Sequence, residues 1–107
     1  MASLNFEQLK ERSLEIRKRY HELELTHHGS EWTIEEDVLA FLTDAGLVAR
    51  NVMSQQGRWP KSNTQEELKH KIGESIWWLT ALAQRMNIDI EKVTEEFLSK
   101  TEELVGQ

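Results

Sequence analysis

Apolar and polar positions alternate along this chain with the period of an α-helix, and four stretches carry the signal. The central one spans residues 33–53. Thr33 with Glu36 three residues later is a capping-box signature, which predicts a helix from there to Met53. At about 100° per residue, Ile34, Val38, Phe41, Ala45, Val48 and Val52 form one continuous apolar stripe. Leu39, Leu42, Ala49 and Met53 widen it beyond the band of about 100° that a one-sided surface helix needs. Two polar lines remain. Glu36, Thr43 and Arg50 read as the solvent side. Asp37, Asp44 and Asn51 recur at seven-residue spacing, flanked by Ala40, Leu47 and Val48. An ionised Asp44 in mid-helix is costly there unless paired, hydrogen-bonded or bound to a cation. This line is therefore either a partly solvated edge or a carboxylate site facing another helix.

Three more helices are predicted. The first covers residues 5–25, with Asn5 and Gln8 as its cap and Phe6, Leu9, Ile16, Tyr20 and Leu23 as its apolar stripe. Ser13 is the gap in that stripe, and Glu7, Lys10, Glu11, Arg17 and Lys18 read as a solvated face. Residues 26–31 read as a loop; adjacent histidines such as His27 and His28 rarely chelate one ion well, so a loop or surface role is expected. Gly57 and Pro60 break the chain after the central helix, and Arg58 and Lys61 beside them either meet phosphate oxygens or are ordinary loop residues. Thr64 with Glu67 predicts a cap for a helix over 64–86, with Leu68, Ile72, Ile76, Leu79, Leu82, Ala83 and Met86 as its core. A second line on that helix holds Glu67, Lys71, Glu74, Trp78 and Arg85. Glu67 and Lys71 are spaced as an i,i+4 pair, while Glu74, one turn from Trp78, suits an ion held beside a flat ring; His70, on another face, reads as a structural or interface histidine. Asp89 caps a last helix over 90–104, whose buried stripe is Ile90, Val93, Phe97 and Leu104 with Lys100 on its flank. Residues 105–107 are expected to fray. The expected fold class is an all-α four-helix bundle in one domain, 1–107.

Composition narrows the partners. Only 38% of the 107 residues are apolar, a thin core for helices that are apolar over so much of their circumference. With four tryptophans to cover as well, the bundle is expected to be completed by a second copy, as a homodimer or a dimer of dimers. Thirteen Lys and Arg against 19 Asp and Glu leave a net charge of −6, which argues against nucleic acid as a partner. The absence of cysteine rules out disulfides and thiolate metal sites and suits a cytoplasmic protein. No basic segment followed by an apolar run opens the chain, so no secretory signal is expected, and no membrane span of about 18 apolar residues is visible.

Over residues 32–101 the chain resembles the MazG-like nucleotide pyrophosphohydrolases of the all-α NTP pyrophosphatase superfamily. That family carries Glu-x-x-Glu on one helix and Glu-x-x-Asp on the next. Asp44-Ala45-Gly46-Leu47 resembles the first motif and Lys71-Ile72-Gly73-Glu74 the second. Residues 76–83 resemble the segment that follows, and Asn87-Ile88-Asp89-Ile90-Glu91 the turn into the last helix. The resemblance implies Mg²⁺, or Mn²⁺, held by carboxylates that share a helix face, and cleavage of the α–β phosphoanhydride of a nucleoside triphosphate to a monophosphate and pyrophosphate. It implies catalytic and metal-binding roles for Asp44 and Glu74 and a phosphate contact for Lys100; Lys71, Arg58 and Trp78 are the further candidates for phosphate or substrate contacts. Two of the four acids are replaced, by Leu47 and Lys71. Asp37 and Glu67, one helical repeat away, are the candidate replacement ligands. Three readings follow: a pyrophosphohydrolase serving nucleotide-pool housekeeping, a degenerate relative that binds a nucleotide or phosphorylated ligand without cleaving it, or a purely structural dimerisation module.

Overall fold

Asn5, Thr33 and Asp89 each turn a side-chain oxygen onto backbone N–H groups of the first helical turn, which fixes where three helices begin. The computed structural model describes residues 3–106 as α1 (Phe6–His28), α2 (Ile34–Gln55), α3 (Thr64–Arg85) and α4 (Ile90–Val105), with no strand among the described residues. Met1, Ala2 and Gln107, at the ends where no signal and a frayed tail are expected, lie outside them. Capping boxes close at Asn5 with Gln8 and at Thr33 with Glu36. The expected box at Thr64 does not form. Asn63 is the cap residue and makes no side-chain capping bond. The Thr64 hydroxyl instead pairs with Ser54 and Lys61, and Glu67 is drawn to Asn51 and Lys61. Nor does α1 stop at residue 25. The Thr26 hydroxyl bonds back to the Glu22 carbonyl, and the helix runs on to Gly29, whose positive φ of 78° supplies the left-handed cap. His27 and His28 therefore form the last helical turn rather than a loop.

α3 is the hub. It packs along α2, against α1, and near its end against α4. The buried apolar residues, Leu68, Trp78, Ala81, Leu82 and Ala83, all belong to it. The lines that α1 and α2 turn inward are polar: Ser13, Arg17 and Glu24 on α1, Asp37 and Asn51 on α2, the last two fully inaccessible.

This inverts the expected stripes. Ser13, the supposed gap, is buried, and its carbonyl accepts the Trp77 indole N–H. Arg17, expected on a solvated face, is 3% exposed. Ile16, Tyr20 and Leu23, expected in the core, are exposed, as are Val38, Leu39, Leu42, Val52 and Met53 on α2. On α3 the expected core splits: Leu68, Leu82 and Ala83 are buried, while Ile72, Ile76, Leu79 and Met86 are exposed. α4 buries no residue, and Val93, Phe97 and Leu104 of its expected inner stripe face outward, Phe97 at 65% exposure. Periodicity located the apolar stripes, but most of their large side chains are not covered by this chain.

Candidate functional site

The α1–α2–α3 contact is stitched by a buried charge network. Arg17 makes two forks, one through Nε and Nη2 to Asp37 (3.2 and 2.8 Å) and one through Nη1 and Nη2 to Glu24 (2.9 and 3.3 Å). Arg85, the last residue of α3, donates to Asp37 Oδ2, the oxygen that also takes Arg17 Nε, at 2.8 Å and to the Trp32 carbonyl at 3.0 Å. Glu24 also accepts the Trp32 backbone N–H at 2.8 Å and lies 3.2 Å from His21. Burial works against the charge on Arg17, yet its hydrogen bonds to Glu24 and Asp37 hold its pKa above the usual guanidinium value. Glu24 is likewise opposed by burial, and the Arg17 and Trp32 donors hold it below the usual carboxylate range. A planar fork shared between carboxylates of two helices fixes their relative position as a single point charge cannot. Asp37 is thus committed to two arginines.

Two turns further along the α2–α3 seam lies a second constellation. The Lys71 ammonium donates to Asp44 Oδ1 at 3.0 Å and to Glu74 Oε1 at 2.9 Å. The Trp78 indole N–H donates to the other Asp44 oxygen at 2.8 Å. Hydrogen bonds to Glu74 and then Asp44 raise the Lys71 pKa. Beside Glu74 stands the chain's own Lys71, whereas the cation near the Trp78 ring is the Arg17 guanidinium, 5.8 Å from its centroid. Further along, Glu67 takes hydrogen bonds from Asn51 at 3.3 Å and Lys61 at 3.1 Å, which lower its pKa.

The predicted site residues fall into these groups. Asp44, Glu74, Lys71 and Trp78 come together. Asp37 and Glu67 do not join them, each being held by its own basic or amide partners. Arg58 and Lys100 are exposed, on the α2–α3 loop and on α4, and neither lines the cavity described next. Sequence reasoning missed Arg17, Glu24 and Arg85. A signal existed: Arg17 stands four residues after the gap at Ser13, and Glu24 seven after Arg17, the same heptad recurrence that marks Asp37, Asp44 and Asn51.

Between the two constellations opens a cavity of about 340 Å³, within the range of small-molecule sites. Tyr20, Trp32, Trp77 and Trp78 supply its aromatic wall, and Glu24, Asp44 and Glu74 its acidic edge. The Trp77 and Trp78 rings lie 4.6 Å apart and the Tyr20 ring 5.8 Å from Trp77, so the aromatic surface is continuous. His27 and His28 reach the same cavity from the last turn of α1.

The donor set does not suit a divalent metal. Among the described residues no three His, Cys, Asp or Glu side chains converge as metal ligands. The two acids that do face each other share one ammonium, whose charge repels a cation at the same place. Among the described residues no helix is long and apolar enough to cross a membrane. No family model, curated protein or solved structure matches the chain.

Proposed function

We propose that the chain is a degenerate MazG-like bundle that binds a nucleotide-type ligand, its flat ring in the aromatic cavity, without hydrolysing it. The observation that carries this reading is the Lys71 ammonium bridging Asp44 and Glu74 at 3.0 and 2.9 Å. It occupies the place where the resemblance implies Mg²⁺ and offsets one of the two charges of the remaining motif acids from within the chain. A ring-sized cavity walled by indoles suits a heterocycle, since stacking on aromatic side chains tolerates many bases. Lys71 is engaged by its two carboxylates and is not free to face a phosphate. Pyrophosphohydrolysis with Mg²⁺ or Mn²⁺ would require Lys71 to leave both acids. We further propose a cytoplasmic homodimer or dimer of dimers. The exposed faces carrying Leu39, Leu42, Ile72 and Ile76 are the support for assembly, being more apolar than a lone bundle normally leaves in water.

Calorimetry with a panel of nucleoside triphosphates tests the ligand reading. The expected result is heat of binding that is unchanged by Mg²⁺, with no pyrophosphate released. Pyrophosphate appearing in proportion to added Mg²⁺ would replace it with the hydrolase reading, and no binding at all would leave the dimerisation module.

A further inference from the structure

We infer that the cavity takes a planar organic cation, an N-alkylated or protonated heterocycle, in preference to its neutral counterpart. The inference rests on the cavity being a ligand site, as proposed above. Its support is the charge balance of the walls. Arg17 and Arg85 face Glu24 and Asp37, two cations against two carboxylates, so that network is balanced. At the other end Lys71 alone faces Asp44 and Glu74, which leaves one carboxylate charge unmatched on the cavity edge. The surrounding titratable groups are His21, 3.6 Å from Glu31 as well as beside Glu24, His70, 3.9 Å from Glu74, and the two mouth histidines. Arg17 also lines the cavity but is held by Glu24 and Asp37, and Lys69 lies on the adjoining surface beside Glu74 and Trp77 without an ion pair to Glu74.

A phosphate entering here would meet carboxylates whose cation is already shared. A cation would gain the unmatched charge and the faces of the indole wall, where attraction to the ring quadrupole grows as water is excluded. The wall already tolerates one such neighbour: the Arg17 guanidinium carbon stands 5.8 Å from the centroid of Trp78. Trp32, Trp77 and Tyr20 remain for a ligand. Asp44 gives both oxygens to Trp78 and Lys71, whereas Glu74 hydrogen-bonds through Oε1 alone, so Glu74 is the acceptor best placed for an N–H or N-alkyl edge.

The experiment compares two pairs that differ by one methyl group and its charge: 7-methylguanosine with guanosine, and 1-methylnicotinamide with nicotinamide. Binding to the full chain is read by quenching of tryptophan fluorescence and by calorimetry. The expected result is at least tenfold tighter binding of each cation, and a several-fold smaller preference in Glu74→Gln, with Asp44→Asn as a second variant should the first fold poorly. If the nucleosides bind equally and the nicotinamides bind equally, the inference falls while the ligand site stands. Binding of 1-methylnicotinamide without either nucleoside supports the inference and removes the nucleotide reading. Silence from all four compounds overturns both.

Discussion

Between its helices the bundle buries charges, while the outer sides of the same helices expose leucine, isoleucine and phenylalanine. Along the seam Arg17, Asp37 and Asn51 are at most 3% exposed; on the outside Leu39 stands at 65% and Ile76 at 50%. The two regions are held by different physics. A buried ion network is costly to desolvate and pays that back only through good geometry, so it specifies how α1, α2 and α3 fit more than it stabilises them. The outer faces are non-directional apolar area, about 25 cal/mol per Å² once covered. The seam sets the fold of one chain, and the outer faces are the area that the proposed second copy would cover.

The comparison breaks first at the outer face, where the expected effect is largest because the species itself changes. Light scattering at micromolar concentration should give the wild type at least twice the mass of one chain. Ile76→Lys, or Leu42→Lys, should return single chains whose melting no longer depends on concentration. A wild type of single-chain mass would mean that the apolar faces need another occupant.

At the seam the corresponding change is Arg17→Met. It leaves Glu24 with His21 and the Trp32 N–H, and Asp37 with Arg85 alone, inside the bundle. Removing one partner of a buried network costs about 3–5 kcal/mol, read as a lower urea midpoint. Arg17→Lys keeps the charge and loses the forks, so it should recover only part of that loss. A shift below about 1 kcal/mol, the range of exposed pairs, would show that water reaches the network.

These two outcomes bear on what was legible in the sequence. Helix number and the caps at Asn5, Thr33 and Asp89 were readable because they depend on local spacing. The heptad line of Asp37, Asp44 and Asn51 was recognised as anomalous, but its sign was not. A carboxylate recurring on a helix looks the same whether its partner is a metal, an arginine or water. Only the α1–α2–α3 packing, which brings Arg17 from twenty residues upstream and Arg85 from forty-eight downstream to Asp37, decides it. Lys71 shares a helix line with Glu74 in the sequence, yet its reach to both Asp44 and Glu74 depends on the spacing of two helices, which a single periodicity does not encode.

Acid should loosen the seam before the outer faces respond. Glu24 holds its proton less readily in the folded chain than at its usual value of 4.5. The stability carried by its ionised form is therefore complete above that value and is lost as pH falls through the lower folded one. Glu67 has the same sign. Urea midpoints should stay level from pH 7 to about 5 and fall below about 4, with Glu24→Gln flattening the fall. A midpoint that drops equally in that variant would assign the acid sensitivity to other carboxylates.

The smallest expected effect on stability lies at Lys71, where seam and site coincide. Its partners are partly solvated, at 17% side-chain exposure for Asp44 and 26% for Glu74, so the pair sits between a surface bridge and a buried one. Lys71→Met should therefore cost about 1–2 kcal/mol, less than Arg17→Met. Asp44 keeps the Trp78 donor, which holds one of its oxygens in place. The raised Lys71 pKa gives a matching signature in base: its contribution is complete below the usual lysine value of 10.5 and lost as pH rises through the higher folded value. In Lys71→Met that alkaline step should vanish. The same variant leaves two carboxylates facing each other across α2 and α3 with no cation between them, so a divalent ion should bind there more tightly than in wild type. Calorimetric titration of Mn²⁺ into both proteins reads this directly. Equal Mn²⁺ binding in wild type and variant would mean that the ammonium does not exclude the metal, and the hydrolase reading would regain its ground.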